Sequence, residues 1–315
     1  MGNLQEHTLH LDARLLARPE VRSICVSGPD RTRFLNGMLT NDVSRLVPGE
    51  GELAVKVSAK GRVEAVVRAR CGAQEWFLEA IDPVAEPLKS SLERFVIMED
   101  VTLTFAAVEV LAVLGESAAD VLGRAGLATP RSMHGFSTTE DVTVIRDCTL
   151  GIAGFELHAR EGAGEALRSR LIDAGAILIN RAEVELARVV AGWPLDGRDL
   201  DGETFPMEVE ALERAAISYD KGCYVGQEVI ARARNLGHVN YRLAGLSFEG
   251  GPSSERAPIS LDGDAAAKPV GEVRSVVEVP GGGAIALAFV HRKVAVGQRV
   301  KAGDRFAVVT PLPFR

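Results

Sequence analysis

The sequence predicts an α+β chain that closes with a small β-barrel, and three observations carry that prediction. Alternating apolar residues, as in Leu53, Val55 and Val57 and again in Val63, Ala65 and Val67, read as antiparallel strands. Apolar residues at helical spacing recur between such stretches, so helices and antiparallel meanders are mixed. After about Gly237 only short strands separated by Gly-rich turns remain, including Gly281-Gly282-Gly283, the pattern of a barrel or sandwich.

Taken in order, Thr32 to Leu39 reads as a helix, with Phe34, Leu35, Met38 and Leu39 on one face. Ser27 or Asp30 is placed to cap it, and Thr40 to Val43 (TNDV) has the composition of a helix end or turn. A meander follows from Glu52 to Ile81, turning at Lys60-Gly61 and broken at Gly72. Val84, Leu88, Leu92 and Phe95 define a second helix, and VTLTF and VEVLAVL two further strands ending near Leu114. A helix from about Ser117 to Arg124 closes this part. From Val142, VTVIRDC and GFELHAR read as strands, Glu165 to Ala174 as a helix stopped by Gly175, ILI as a short strand and Glu183 to Ala191 as a helix. YRLAGLSFEG, PVGEVRSVVEV, GAIALAFV, QRVKAG and DRFAVVTPL are the barrel strands, with SSERAP a surface loop and a boundary between 235 and 245.

The 315 residues suggest two or three domains with an ordinary globular balance, 46% hydrophobic and 25% charged. A net charge of −7 argues against direct nucleic-acid binding, which needs clustered Lys and Arg. Cys25, Cys71, Cys148 and Cys223 form no CxxC pair, so neither a zinc site nor a dithiol motif is written locally. No stretch has signal-peptide or membrane-span character, and the expectation is a soluble cytosolic protein.

The stretch DKGCYVGQEVIARAR carries the most chemistry. Val229, Ile230 and Ala233 have helical spacing, so a helix should begin at Gly226 or Gln227 with Cys223 just before its N-terminus. A helix dipole and the neighbouring Lys221 favour thiolate over thiol at such a place. Gly222 and Gly226 allow a sharp turn or close approach to a ligand. The plainer alternative is a buried structural cysteine. A cysteine-hydrolase arrangement lacks support, since only His238 lies near and no protease signature is present. A second polar stretch, with Asp196, Arg198, Asp199, Asp201 and Glu203 before PMEVEAL, reads either as a site loop or as a solvated acidic loop.

KGCYVGQE resembles the signature of the YgfZ-type folate-binding proteins, Lys-Gly-Cys-Tyr/Phe-x-Gly-Gln-Glu. These are relatives of the glycine-cleavage T-protein, an aminomethyltransferase. RFLNGMLTNDV, LGIAGFELHA, RVVAGWPLDGRDL, ARNLGHVNYRL and GEVRSVVEV with IALAFV and PLPF resemble further family segments in the same order. The resemblance implies three lobes around a central cavity that holds tetrahydrofolate, with no intrinsic metal. It implies a folate-binding region over 1–238, in which a first lobe (1–49 plus 129–238) is interrupted by a second (50–128). The C-terminal barrel would then occupy 239–315. Cys223 would act as a reactive thiol assisted by Lys221, in a loop shaped by Gly222, Tyr224, Gly226, Gln227 and Glu228, with Gln227 and Glu228 capping it. Asn41 and Glu208 would line the folate pocket.

Two departures bear on chemistry. Aligned on Lys60-Gly61, the T-protein's aspartate beside the folate falls on Val66; Glu64, two residues earlier, would share its strand face at about 7 Å. The acidic residue of the T-protein's Lys-Gly-x-Phe/Tyr slot is Cys223 here. The implied function is therefore a tetrahydrofolate-binding accessory protein in iron–sulfur cluster assembly or repair. Its partners would be iron–sulfur proteins or assembly factors, and its effect on tRNA modification indirect. A folate-dependent aminomethyltransferase or demethylase, or a non-catalytic folate-binding module, are the alternatives.

Overall fold

The structure, a computed structural model, describes residues 12–314 apart from 140, 148–149, 236, 238 and 262–267. Cys148 and His238 lie outside the described residues. In chain order the first elements are β1 (Arg14–Ala17), β2 (Val21–Ser27), α1 (Arg31–Met38), β3 (Gly51–Val57), β4 (Val63–Cys71), β5 (Trp76–Ile81), α2 (Ala85–Glu93), β6 (Thr102–Phe105), β7 (Val108–Leu114) and α3 (Ala118–Arg124). Then come β8 (Phe136–Thr138), β9 (Val142–Asp147), β10 (Gly154–Arg160), α4 (Gly164–Asp173), β11 (Ile177–Leu178), α5 (Arg181–Ala191), α6 (Glu210–Ala216) and α7 (Gln227–Asn235). The last six strands are β12 (Tyr241–Phe248), β13 (Pro258–Leu261), β14 (Gly271–Glu278), β15 (Ala284–His291), β16 (Arg299–Ala302) and β17 (Arg305–Thr310).

Three sheets organise these elements. A five-stranded sheet has the order β3-β4-β5-β2-β6, a six-stranded sheet the order β11-β1-β7-β10-β9-β8, and β12 to β17 close into a barrel. The fold is thus α+β with a C-terminal barrel, as the sequence predicts. The first sheet packs its apolar face on α1 and α2 through Ile24, Leu35, Ala65, Val67, Leu78 and Leu88. The second packs on α3 and α4 through Val113, Leu122, Leu157 and Leu171. Each helix offers apolar residues at three- and four-residue spacing, which is why it lies flat on its sheet.

Sheet membership differs from the lobe limits expected from the resemblance. β2 pairs with β5 on one side and β6 on the other, so it joins the sheet of residues 51–105. β7 instead pairs with β1 and β10 in the six-stranded sheet. The five-stranded sheet therefore draws its strands from residues 21–105, because strand pairing and not chain order decides membership. β1, β2, β8 and β13 escape the sequence pattern. β1, β8 and β13 are four residues or fewer, and β2 (VRSICVS) buries the polar Ser23.

Candidate functional site

The signature loop is built around Lys221. This side chain is buried, and its ammonium donates 2.7 Å hydrogen bonds to the backbone carbonyls of Asn36, Leu39 and Asn41. All three ammonium donors are thereby spent on the end of α1 and the turn after it. Burial pulls its pKa down to about 8, against the nearby Asp42 and Glu52 carboxylates. The expected role of assisting Cys223 gives way to a structural one: Lys221 ties the last turn of α1 at Asn36 to the turn that follows it at Leu39 and Asn41. Tyr224 is also buried, its ring 5.1 Å from the Lys221 ammonium.

Between these two buried anchors, Gly222 and Cys223 stand exposed. The buried-cysteine alternative is excluded. α7 begins at Gln227, so the thiol does precede a helix. The Gln227 side chain accepts from the Tyr224 N–H at 3.4 Å, and Val225 N–H donates to the Gly37 carbonyl at 3.0 Å. Glu228 does not cap the loop; it pairs on the surface with Arg232 at 3.4 Å. Gly226 has φ +86°, and a Cβ there would lie 2.5 Å from the Ser58 carbonyl oxygen. Gly222 has open space and no such φ, so the fold itself does not require glycine beside the thiol.

Val66 lies where the resemblance puts it, on β4, but a carboxylate stands beside it. Asp196 accepts a 2.6 Å hydrogen bond from the Val66 N–H and a 3.1 Å bond from the Gly197 N–H. It is 7% exposed, and burial pushes its pKa up to about 7. Glu64 takes no part. The β3–β4 register shifts between Lys56 and Val57, so Glu64 pairs with the buried Lys56 at 3.0 Å and bonds Ser91 of α2. A bulge of this kind rotates the following side chains and defeats the expected shared face.

The loop with Asp196 is only partly solvated: Glu203 is exposed, whereas Asp196 and Asp199 are buried. Asp199 is fully buried, accepting from Arg188 at 2.8 Å, from Ser275 and from the Leu195 N–H. Asp201 pairs with Arg274 and Arg256. This ties α5 and the loop to the barrel and positions two separate cavities. One is a chamber of about 70 Å³ lined by Asp196, Val66, Trp193, Leu53, Arg18, Arg68, Glu79 and Glu156.

The other cavity is a cleft of about 670 Å³ between residues 201–208, α7 and the barrel. Glu208 lines it, is buried, and has its pKa pushed up to about 7 by burial while accepting from the Phe205 N–H. Arg62, Phe205, Arg232, Tyr241, Arg274 and Phe289 complete much of the wall. Arg62 stacks on Phe205 at 3.7 Å. Asn41 is not at this cleft. Its amide donates to the Leu53 and Ala215 carbonyls, which makes it a brace of the α1 turn. Among the described residues, no group of three or more His, Cys, Asp or Glu is placed to hold a metal.

Residues 12–220 match the GCVT N-terminal domain family. The chain belongs to the glycine-cleavage T-protein family. An aminomethyltransferase of Rubrobacter xylanophilus is 31% identical over 305 residues, covering 92% of this chain and 80% of its own length. The tRNA-modifying protein YgfZ of Sodalis glossinidius is 27% identical over 233 residues, covering 72% and 69%. The chain is thus a YgfZ-type relative within the T-protein family. The crystal structure of aminomethyltransferase T from Bartonella henselae superposes with a TM-score of 0.87 over 99% of this chain and 88% of that one, at 23% identity; this is a likeness of fold.

Where the resemblance expects a carboxylate on β4, Val66 stands instead, and the loop brings Asp196 against its N–H. In the sequence, Asp196 is one acid among several in its loop. Its setting after Trp193, Pro194 and Leu195, apolar rather than charged, is the sequence feature that sets it apart from Asp199, Asp201 and Glu203. No helix of the described residues is long and apolar enough to cross a membrane.

Proposed function

We propose that this chain is a tetrahydrofolate-binding accessory protein of the YgfZ type. The observation that carries the reading is the buried Glu208 in the cleft of about 670 Å³, a volume suited to a ligand of that size. A reduced pterin presents adjacent N–H donors, which the Glu208 carboxylate accepts when ionised. Tyr241, Phe205 and Phe289 offer surface for the aminobenzoyl ring, and Arg62 and Arg232 offer cations for the glutamate tail. α7 lines the cleft through Val229, Arg232 and Ala233, and the exposed Cys223 lies on the approach to that helix. In this reading the thiol engages a partner during iron–sulfur cluster assembly or repair. The relatives named tRNA-modifying support an effect on tRNA through the enzymes that depend on such clusters, and the net charge of −7 fits an indirect role.

Titration with tetrahydrofolate tests the reading by calorimetry. Wild type should saturate, and Glu208→Gln should bind at least about tenfold more weakly, the scale of a lost charged hydrogen bond. Absence of saturation at millimolar ligand overturns it. The carboxylate at Asp196, together with the Rubrobacter relative, favours one second reading: aminomethyl transfer to tetrahydrofolate. Release of ammonia from an aminomethylated carrier at an enzymatic rate would establish that reading instead.

A further inference from the structure

The seam between the two sheets opens into a further cleft of about 520 Å³, at the end away from Val66. Arg70 of β4 shares the strand face of Val66 but stands about 13 Å further along the strand. Phe77 of β5, Val108 of β7, Phe136 of β8 and His158 of β10 bound the same cleft. None of these five residues lines the chamber at Val66 or the cleft at Glu208.

Two buried side chains reach this cleft with hydrogen-bonding capacity to spare. The Nε and Nη2 atoms of Arg70 donate to Glu79 at 3.0 and 2.6 Å. Its guanidinium carbon lies 4.9 Å from the centre of the Phe77 ring and 4.8 Å from that of Phe136, which fixes the group in place. Nη1 is left without a hydrogen-bond partner among the described residues. His158 has Nε2 2.8 Å from the Glu156 carboxylate. Despite burial, Arg68, His158 itself and Arg18 hold Glu156 well below the usual carboxylate range, so it only accepts. The Nε2 that faces it must carry the hydrogen. Nδ1 of the neutral ring is then an acceptor, and it too has no partner among the described residues.

Charge and surface narrow the class of ligand. Apart from His158, the described ionisable groups of the wall are Arg70 and Arg160 against Glu75 and Asp141. Arg160 pairs with Asp141 at 3.4 Å, and Arg70 is neutralised by Glu79. No net charge calls for an ion. Phe77, Phe136, Ala106, Val108 and Val142 supply aromatic and apolar surface, and the volume lies in the range of small-molecule sites, roughly 300–1,000 Å³. We propose that this cleft binds an uncharged planar heterocycle with a lactam edge, of the nucleobase kind. Its carbonyl accepts from Nη1 of Arg70, its N–H donates to Nδ1 of His158, and its ring lies against the phenylalanines. A ligand with that edge satisfies both unspent atoms at once, which a hydrocarbon of the same shape does not. The inference does not depend on what fills the Glu208 cleft.

Calorimetric titration of the full chain with uracil at neutral pH tests it, with 1,3-dimethyluracil as a match in shape that lacks N–H donors. Uracil should saturate, and 1,3-dimethyluracil should bind at least about tenfold more weakly. His158→Phe, checked for folding by circular dichroism, should bind uracil at least about tenfold more weakly and lose the discrimination between the two. Ala107→Trp, at an exposed position in the cleft wall and outside the ion pairs, should block uracil by filling the space. Failure of wild type to saturate, equal binding of 1,3-dimethyluracil, or unchanged uracil binding by either folded variant would each overturn the site.

Discussion

Lys221 and Cys223 are two residues apart and have opposite fates. The ammonium of Lys221 holds three carbonyls in a buried site, whereas Cys223 touches solvent. Lys221→Met should cost about 3 kcal/mol in urea unfolding, because buried carbonyls lose their donors. Cys223→Ala should change stability by less than about 0.5 kcal/mol, as surface substitutions do. Thiol labelling of the native chain should modify Cys223 well before Cys25 or Cys71. Burial, with Glu75 adding to it, pushes Cys25 up to about 12, and burial also raises Cys71. Labelling of Cys25 or Cys71 at the rate of Cys223 would contradict this account. The sequence could not separate the two roles, since adjacency in the chain says nothing about which side chain turns inward.

At the scale of the element, the entry into α7 depends on close contact with the β3–β4 turn. Gly226 lies against the Ser58 carbonyl and Val57, and has a left-handed φ. Gly226→Ala should therefore destabilise by roughly 2–4 kcal/mol in thermal or urea unfolding, from steric contact added to backbone strain. Gly222→Ala has neither penalty and should lie within about 1 kcal/mol of wild type. Equal effects of the two would refute the argument. The sequence marks both as possible turn glycines; only the position of β3 against the loop distinguishes them. The β4 bulge has the same character, since it exchanges the faces of Glu64 and Val66 without any local sign in KGRVEAVV.

Over the whole molecule, buried ions work against each other with pH. Glu79 is held at about 2 by Arg70 and Arg68 in spite of its burial. Its folded pKa lies below the ordinary 4.5, so its contribution is present above that value and lost as pH falls toward about 2. Asp196, Glu208 and Glu52 are each pushed up to about 7 by burial. Their folded states hold protons that the unfolded chain releases, so they weaken the fold as pH rises from about 4 to about 7. Stability measured by urea unfolding should therefore peak on the acid side of neutrality, near about pH 5. Arg68→Met leaves three buried carboxylates short of a cation and should cost roughly 3–5 kcal/mol at neutral pH. A stability maximum at or above about pH 8 would contradict the assignment of the raised acids.

By itself, the sequence determined the α+β class, most strands and helices, the barrel and the signature loop that carries Cys223. These follow from periodicity, turn residues and an eight-residue signature, all of which are local. Tertiary structure decided which sheet β2 and β7 join, which glycine is obligatory, and that Asp196 and Asp199 are buried. It also decided that a carboxylate stands at Val66, contributed from 130 residues further along the chain. A carboxylate's meaning lies in what surrounds it: burial against β4 pushes Asp196 up to about 7, and only the packing of loop against sheet supplies that difference from an acid in water.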